Sequence, residues 1–346
     1  MTEMNNVMDA SHIRGGTSPR TQVAVPRFTG DHAVLGCVWL ALAVFPFVAP
    51  NDFMVSLGVL FFINLILIAS LNMLMGFCGQ ISLSHGAFYG LGAYTSGILS
   101  AKLGVDAWIG VPVAMLVTAI SALIIGIPAL RLRGHYLAMA TLGFNAIVFV
   151  MFNELVGLTG GPNGLLGVAP FQIGDFSLAT DDRVFYLVWG CGGLVMLAIL
   201  NLVKSRVGRA LSALATSEIG ADALGVNCFR YKLVVFVLTA AMAGLAGGLY
   251  VHYNQFASPE TFGYFTSVML VVMVALGGWG RYWGPLFGAL IFTVVPEALR
   301  VLGDFELFLF GLCMILVLLF FPGGLAAGVE ALGARFFRRG GNGGRL

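Results

Sequence analysis

Residues 79–86 read Gly-Gln-Ile-Ser-Leu-Ser-His-Gly and open an otherwise apolar run with the hydrogen-bonding side chains of Gln80, Ser82, Ser84 and His85. A polar group left without a partner at hydrocarbon depth is costly, so these side chains must face a neighbouring helix or a water-filled path. Thr141 and Asn145 join them as candidates for lining such a path. Two readings stay open: translocation-path lining, or hydrogen bonding between helices that pack closely through Gly86, Gly90 and Gly92. His85 has no second ligand at usable spacing, so no metal is expected. Asn64, Asn72, Asn153, Glu154 and Glu297 complete the polar set within or near apolar runs. A charge at mid-bilayer costs about 2.5–3.5 kcal/mol on insertion scales. Glu154 is expected near the outer interface, and Glu297 with Arg300 three residues on suits a helix-face ion pair. No chain of carboxylates for proton transport is present, which weakens the reading as a self-contained secondary transporter.

A second constellation fills the loop 204–230. Val207, Leu211 and Leu214 recur at helical spacing, and Ile219 and Leu224 continue the pattern after Thr216-Ser217. Two short amphipathic helices with a capped break between them are expected. Arg206 and Arg209 lie at one end of the pair, Glu218 and Asp222 at the other, while Gly208 and Gly225 permit close approach or helix termination. The apolar stripe either lies on lipid headgroups or enters a groove on a cytoplasmic partner. A third stretch, Leu158–Leu165, carries Thr159, Gly160, Gly161, Pro162 and Asn163, residues suited to a tight turn with exposed backbone amides. It reads as a plain turn or as an outer lip touching substrate or a delivery protein. No GxxxxGK[ST], HExxH or GxSxG motif occurs, so nucleotide hydrolysis by the P-loop route and the familiar hydrolase chemistries have no residues here. The five cysteines are scattered, without CxxC or metal spacing, and read as packing residues.

The elements that must position these groups follow from hydropathy. Of 346 residues 59% are hydrophobic and 10% charged, and the mean hydropathy is +0.94. A soluble globule has too little interior for so much apolar surface, so the bilayer is the solvent. A helix needs about 20 apolar residues to span the hydrocarbon. That ruler marks stretches near 34–50, 55–75, 77–99, 108–130, 135–157, 184–203, 231–251, 262–279, 284–301 and 305–322. With the N-terminus inside, the cytoplasmic segments hold Arg14, Arg20, Arg27, Arg131, Arg133, Lys204, Arg206, Arg209, Arg230, Lys232, Arg281, Arg335, Arg338, Arg339 and Arg345. Only Lys102, Arg183 and Arg300 fall outside, so most of the 18 basic residues obey the preference for cytoplasmic loops. The expectation is an all-α integral membrane protein of about ten transmembrane helices, both termini cytoplasmic and the third helix irregular at 79–86. Residues 1–33 are expected as a cytoplasmic N-terminal tail, 34–322 as the membrane domain with its loop 204–230, and 323–346 as a disordered basic C-terminal tail. The first span suits an uncleaved signal anchor. The net charge of +2 points to no nucleic-acid partner.

Several blocks together resemble the branched-chain amino acid ABC permeases of the LivM type. They are Gly79–Tyr94, Tyr136–Phe144, Leu158–Gly164, Ser205–Ala213, Glu218 with Ala223–Val226, Ala243–Tyr250, Ser258–Glu260, Leu276–Gly278 and Trp283–Pro285. They occur in order across about residues 55–325, with a modest departure at Thr216-Ser217, where members often carry charged residues. The resemblance implies a type II-like ABC importer permease in the bacterial inner membrane, itself no enzyme. It implies as partners a LivH-like second permease, two cytoplasmic ATPase subunits that hold the ATP and Mg, and a periplasmic amino-acid-binding protein. The chain itself then carries no cofactor. Residues 205–226 match the loop by which members of the family grip their ATPase. The same superfamily includes urea and short-amide permeases, which keeps those substrates as an alternative.

Overall fold

The computed structural model describes residues 31–328, except 133, 174, 175, 179 and 322. The predicted tails therefore lie mostly outside the described residues, as do Arg133 and Asp175. Where they are described, the expectations shift: Asp31–Ala33 already belong to the first helix, and residues 325–328 are helical rather than irregular.

The chain is almost wholly helical: α1 (Asp31–Ala43), α2 (Phe45–Val48), α3 (Asp52–Asn72), α4 (His85–Leu103), α5 (Ala107–Ala129), α6 (His135–Glu154), α7 (Val156–Thr159), α8 (Asp181–Lys204), α9 (Arg206–Thr216), α10 (Glu218–Ala223), α11 (Cys228–Asn254), α12 (Tyr264–Gly277), α13 (Gly284–Leu299) and α14 (Glu306–Phe320). Each predicted span is helical over at least part of its length. Five helices are long and apolar enough to cross a bilayer: α3 with its continuation to Phe77, α5, α6, α8 and α11. Ala33–Val48, α12, α13 and Phe308–Phe320 are shorter apolar helices. This is a multi-pass membrane protein. The first and third spans are broken within the stretches that hydropathy marks. The first is interrupted at Val44, before Pro46, and the third begins only at His85.

The centre of the bundle is α3. Its sequence is apolar all round, which suits a helix surrounded by others, and Leu65, Ile66, Ile68 and Leu71 are fully buried. Around it pack α8, α11, α12 and α13. The first helix docks through a reciprocal pair: Trp39 Nε1 donates to the Trp189 carbonyl at 3.2 Å, and Trp189 Nε1 donates to the Trp39 carbonyl at 3.1 Å. Helix α4 crosses α11 at backbone contact. A Cβ on Gly92 would lie 2.4 Å from the Gly244 carbonyl oxygen, and one on Gly247 would lie 2.1 Å from that of Tyr89. Lipid tails are as apolar as leucine, so close packing of small residues is what joins helices in a membrane.

The loop after α7 is held down by short strands and by one histidine. Strand β1 (Leu165–Leu166) pairs antiparallel with β4 (Phe256–Ala257), and β2 (Gln172–Ile173) with β3 (Phe176–Ser177). Buried His252 joins α4 to this loop, its Nδ1 2.7 Å from the Ala169 carbonyl and its Nε2 2.7 Å from Ser96 Oγ.

Candidate functional site

Helix α3 does not end in an ordinary cap. It widens into a π-helix at Met73–Phe77 and then runs without helix from Cys78 to Ser84 before α4 begins. Such π segments concentrate at functional sites. The break frees backbone groups inside the protein, and one distant and one local donor satisfy two of them. Trp279 Nε1 donates to the Met75 carbonyl at 2.9 Å, and the Gln80 amide to Leu74 at 3.2 Å. Asn72 holds the loop after α12, its Nδ2 donating to the Arg281 carbonyl at 2.9 Å and its Oδ1 accepting the Gly280 amide at 3.0 Å.

All six predicted path residues are brought together here, and all are buried: Gln80, Ser82, Ser84, His85, Thr141 and Asn145. The Leu83 amide donates to Thr141 Oγ1 at 3.0 Å, and Asn145 Nδ2 reaches the Leu83 carbonyl at 3.3 Å. Ser82 and Ser84 hydroxyls share a hydrogen bond of 2.9 Å. Helix α6 thus grips both backbone polar groups of one residue, Leu83, in the unwound segment. Among the described residues, both polar atoms of the Gln80 side chain, both ring nitrogens of His85 and Asn145 Oδ1 find no hydrogen-bond partner. An unsatisfied buried group costs about 1–3 kcal/mol, so the cluster holds hydrogen-bonding capacity that packing alone does not need.

Ser267 was invisible to sequence reading. Its hydroxyl accepts the Gly86 amide at 2.8 Å and the Asn145 amide at 2.6 Å, which joins α4, α6 and α12 at one atom. A single serine within an apolar run was its only signal.

The loop 204–230 folds into the two expected helices. Ser205 Oγ accepts the Val207 amide at 3.1 Å at the start of α9, and Ser217 Oγ accepts the Gly220 amide at 3.1 Å at the start of α10, as N-cap serines do. The single apolar stripe is corrected. Leu211 and Leu214 are 1% and 3% exposed and belong to this chain's own core, with Val207 half-buried beside them. Ile219 and Leu224 are 81% and 80% exposed. The stripe divides because the break at Ser217 turns α10 away from the face that α9 buries. Gly208 is pressed against the Val203 carbonyl, whereas Gly225 is exposed with φ +79°. Arg206, Arg209 and Asp222 are exposed. Half-buried Glu218 pairs with Lys232 of α11, a partner the sequence did not suggest.

The unwound segment meets α9 directly. Gly79, with φ +70°, lies so that a Cβ would sit 3.4 Å from Cα of Ala215. The stretch Leu158–Leu165, read as a plain turn or an outer lip, is partly folded inward. Thr159 is buried, and its hydroxyl donates to Phe152 and Leu155 carbonyls at 2.7 and 2.9 Å while accepting the Gly161 amide at 3.1 Å. Gly161 is buried, Gly160 half-buried, and Asn163 exposed. Most of this turn closes α6 instead of facing outward. Among the described residues, no three His, Cys, Asp or Glu groups gather as metal ligands.

No solved structure matches this chain. Three relatives do. It is 33% identical over 345 residues to the high-affinity branched-chain amino acid transport system permease LivM of Salmonella typhimurium, covering 89% of this chain and 81% of the relative. It is 34% identical over 310 residues to the LivM permease of Escherichia coli, covering 83% and 73%. It is 28% identical over 279 residues to the LivH permease of Salmonella typhimurium, covering 73% and 88%. The family model for the permease component of the branched-chain amino acid transport system matches residues 53–318, and the chain belongs to that family.

Proposed function

We propose that this chain is the permease subunit of an ATP-driven importer that moves branched-chain or related apolar amino acids across the bacterial inner membrane. It pairs with a LivH-like permease, two cytoplasmic ATPases that hold ATP and Mg, and a periplasmic amino-acid-binding protein. Ten spans with both termini cytoplasmic agree with the distribution of lysine and arginine. The permease supplies an alternating path and no hydrolytic chemistry of its own.

The observation that carries this reading is the unwound segment 78–84, whose two ends touch the two working parts. Gly79 rests on Ala215 of the cytoplasmic helix pair. Leu83 and Gly86 are held within the buried polar cluster. Seven residues without helix, between rigid α3 and α4, are the compliant piece of the bundle. A push on α9 and α10 reaches this segment directly, and reaches α4 through the Glu218–Lys232 pair and the α11–α4 glycine contact. Ile219 and Leu224 are the apolar side chains available to an ATPase groove, in the helix-in-groove mode of recognition.

The test is co-expression with the partner subunits, co-purification, and uptake of labelled leucine by proteoliposomes. ATP-dependent leucine uptake supports the reading. An assembled complex that transports urea or a short amide in place of leucine overturns the substrate. A chain that transports alone, without ATPases, overturns the mechanism.

A further inference from the structure

One face of α3 borders open space inside the bundle. Leu57, Leu60, Asn64 and Leu67 follow the helical repeat and border a cavity of about 400 Å³, within the size range of small-ligand sites. Its other walls come from α12 and α13 and from the edge-to-face pair Tyr89–Tyr250, with ring centroids 5.4 Å apart. Leu270 and Met273 continue the apolar wall, while the α13 side gathers acceptors. Asn64 Nδ2 donates to Thr293 Oγ1 at 3.3 Å. Pro296, also on the wall, has no N–H to give the Phe292 carbonyl. Glu297 follows one turn after Thr293, near the C-terminal and therefore electronegative end of its helix. Its companion Arg300 lies 3.4 Å away but carries a side chain 69% exposed, against 29% for the glutamate.

We propose that this cavity is a binding site for an amino acid with a branched aliphatic side chain, its ammonium group held by Glu297 and its side chain by Leu57, Leu60 and Leu270. The carboxylate and the electronegative helix end favour a primary cation, and the leucines and Met273 favour hydrocarbon. The cavity stands in series with the buried cluster. Tyr89 is one turn along α4 from His85, and Thr266 on the cavity wall precedes Ser267 in the cluster. The inference rests on the importer reading above and adds to it a place where substrate waits outside the closed polar cluster.

The complete importer in proteoliposomes provides the test, with Thr293→Cys as the reporter and the unsubstituted chain as background for the native cysteines. L-Leucine and 3-methylbutylamine should slow labelling of the new thiol by a methanethiosulfonate, whereas 4-methylpentanoate, which lacks the ammonium, should not. Glu297→Gln should abolish leucine protection and raise the KM of uptake about tenfold, the loss of one charge-assisted contact. Arg300→Gln should keep both. Leu60→Cys is a second reporter if Thr293→Cys does not assemble. Equal protection by 4-methylpentanoate, protection that survives Glu297→Gln, no protection by any of the three, or an Arg300→Gln variant that copies Glu297→Gln would each overturn the site. Failure of the importer reading shows separately, as absent leucine uptake by the unsubstituted complex, and 3-methylbutylamine protection still reports on the cavity.

Discussion

Asn145 Nδ2 donates to Ser267 Oγ across 2.6 Å, and that hydroxyl also accepts the Gly86 amide at 2.8 Å. One side-chain oxygen, itself buried, therefore joins three helices beside the unwound segment.

Ser267→Ala removes the acceptor of two buried donors. Each donor so stranded costs about 1–3 kcal/mol, and the purified complex should melt several degrees lower with slower uptake. An unchanged melting temperature would mean that α4, α6 and α12 are held elsewhere.

Alanine at Ser82 and Ser84 should lower leucine uptake while leaving assembly intact. Their hydroxyls bond mainly to each other, and removing both partners of a buried pair is close to neutral for stability. Normal uptake by the double variant would assign these residues to packing alone.

The divided stripe separates docking from folding. Ile219→Asp and Leu224→Asp place charge on exposed surface and should leave the permease folded but without bound ATPase or uptake. Leu214→Asp buries an unpaired charge and should abolish accumulation of the permease itself. Co-purification and membrane abundance distinguish the two outcomes, and retained ATPase binding by both the Ile219 and Leu224 variants would end the coupling assignment for α10 and its C-cap.

Gly92→Leu drives a side chain into the Gly244 backbone, where even a Cβ has only 2.4 Å. The backbones must separate, so α4 and α11 should lose their contact and the chain should be degraded or melt far lower. Gly143→Leu, on α6 with no atom within 4 Å of its Cβ, is the control and should accumulate normally.

Thr159→Ala distinguishes a structural turn from a substrate lip. The hydroxyl closes the end of α6 with three hydrogen bonds, so stability should fall by about 1–3 kcal/mol with the KM of leucine uptake unchanged. A raised KM at unchanged stability would restore the lip.

Much of this protein was already settled by local sequence. Long apolar runs must be helices where backbone groups have no other partner, and Ser205 and Ser217 marked their helices because a hydroxyl before a helix caps it. The polar start at Gln80–His85 announced an irregular third helix for the same reason of unmet hydrogen bonds. Tertiary structure alone decided which polar groups meet. Ser267 lies over 180 residues from Gly86 in sequence, and Lys232 finds Glu218 only because α10 folds back on α11. It also decided which face of an amphipathic helix is free: the same spacing places Leu214 in the core and Ile219 in the open. Periodicity records that a face is apolar. What covers that face depends on where the rest of the chain has packed.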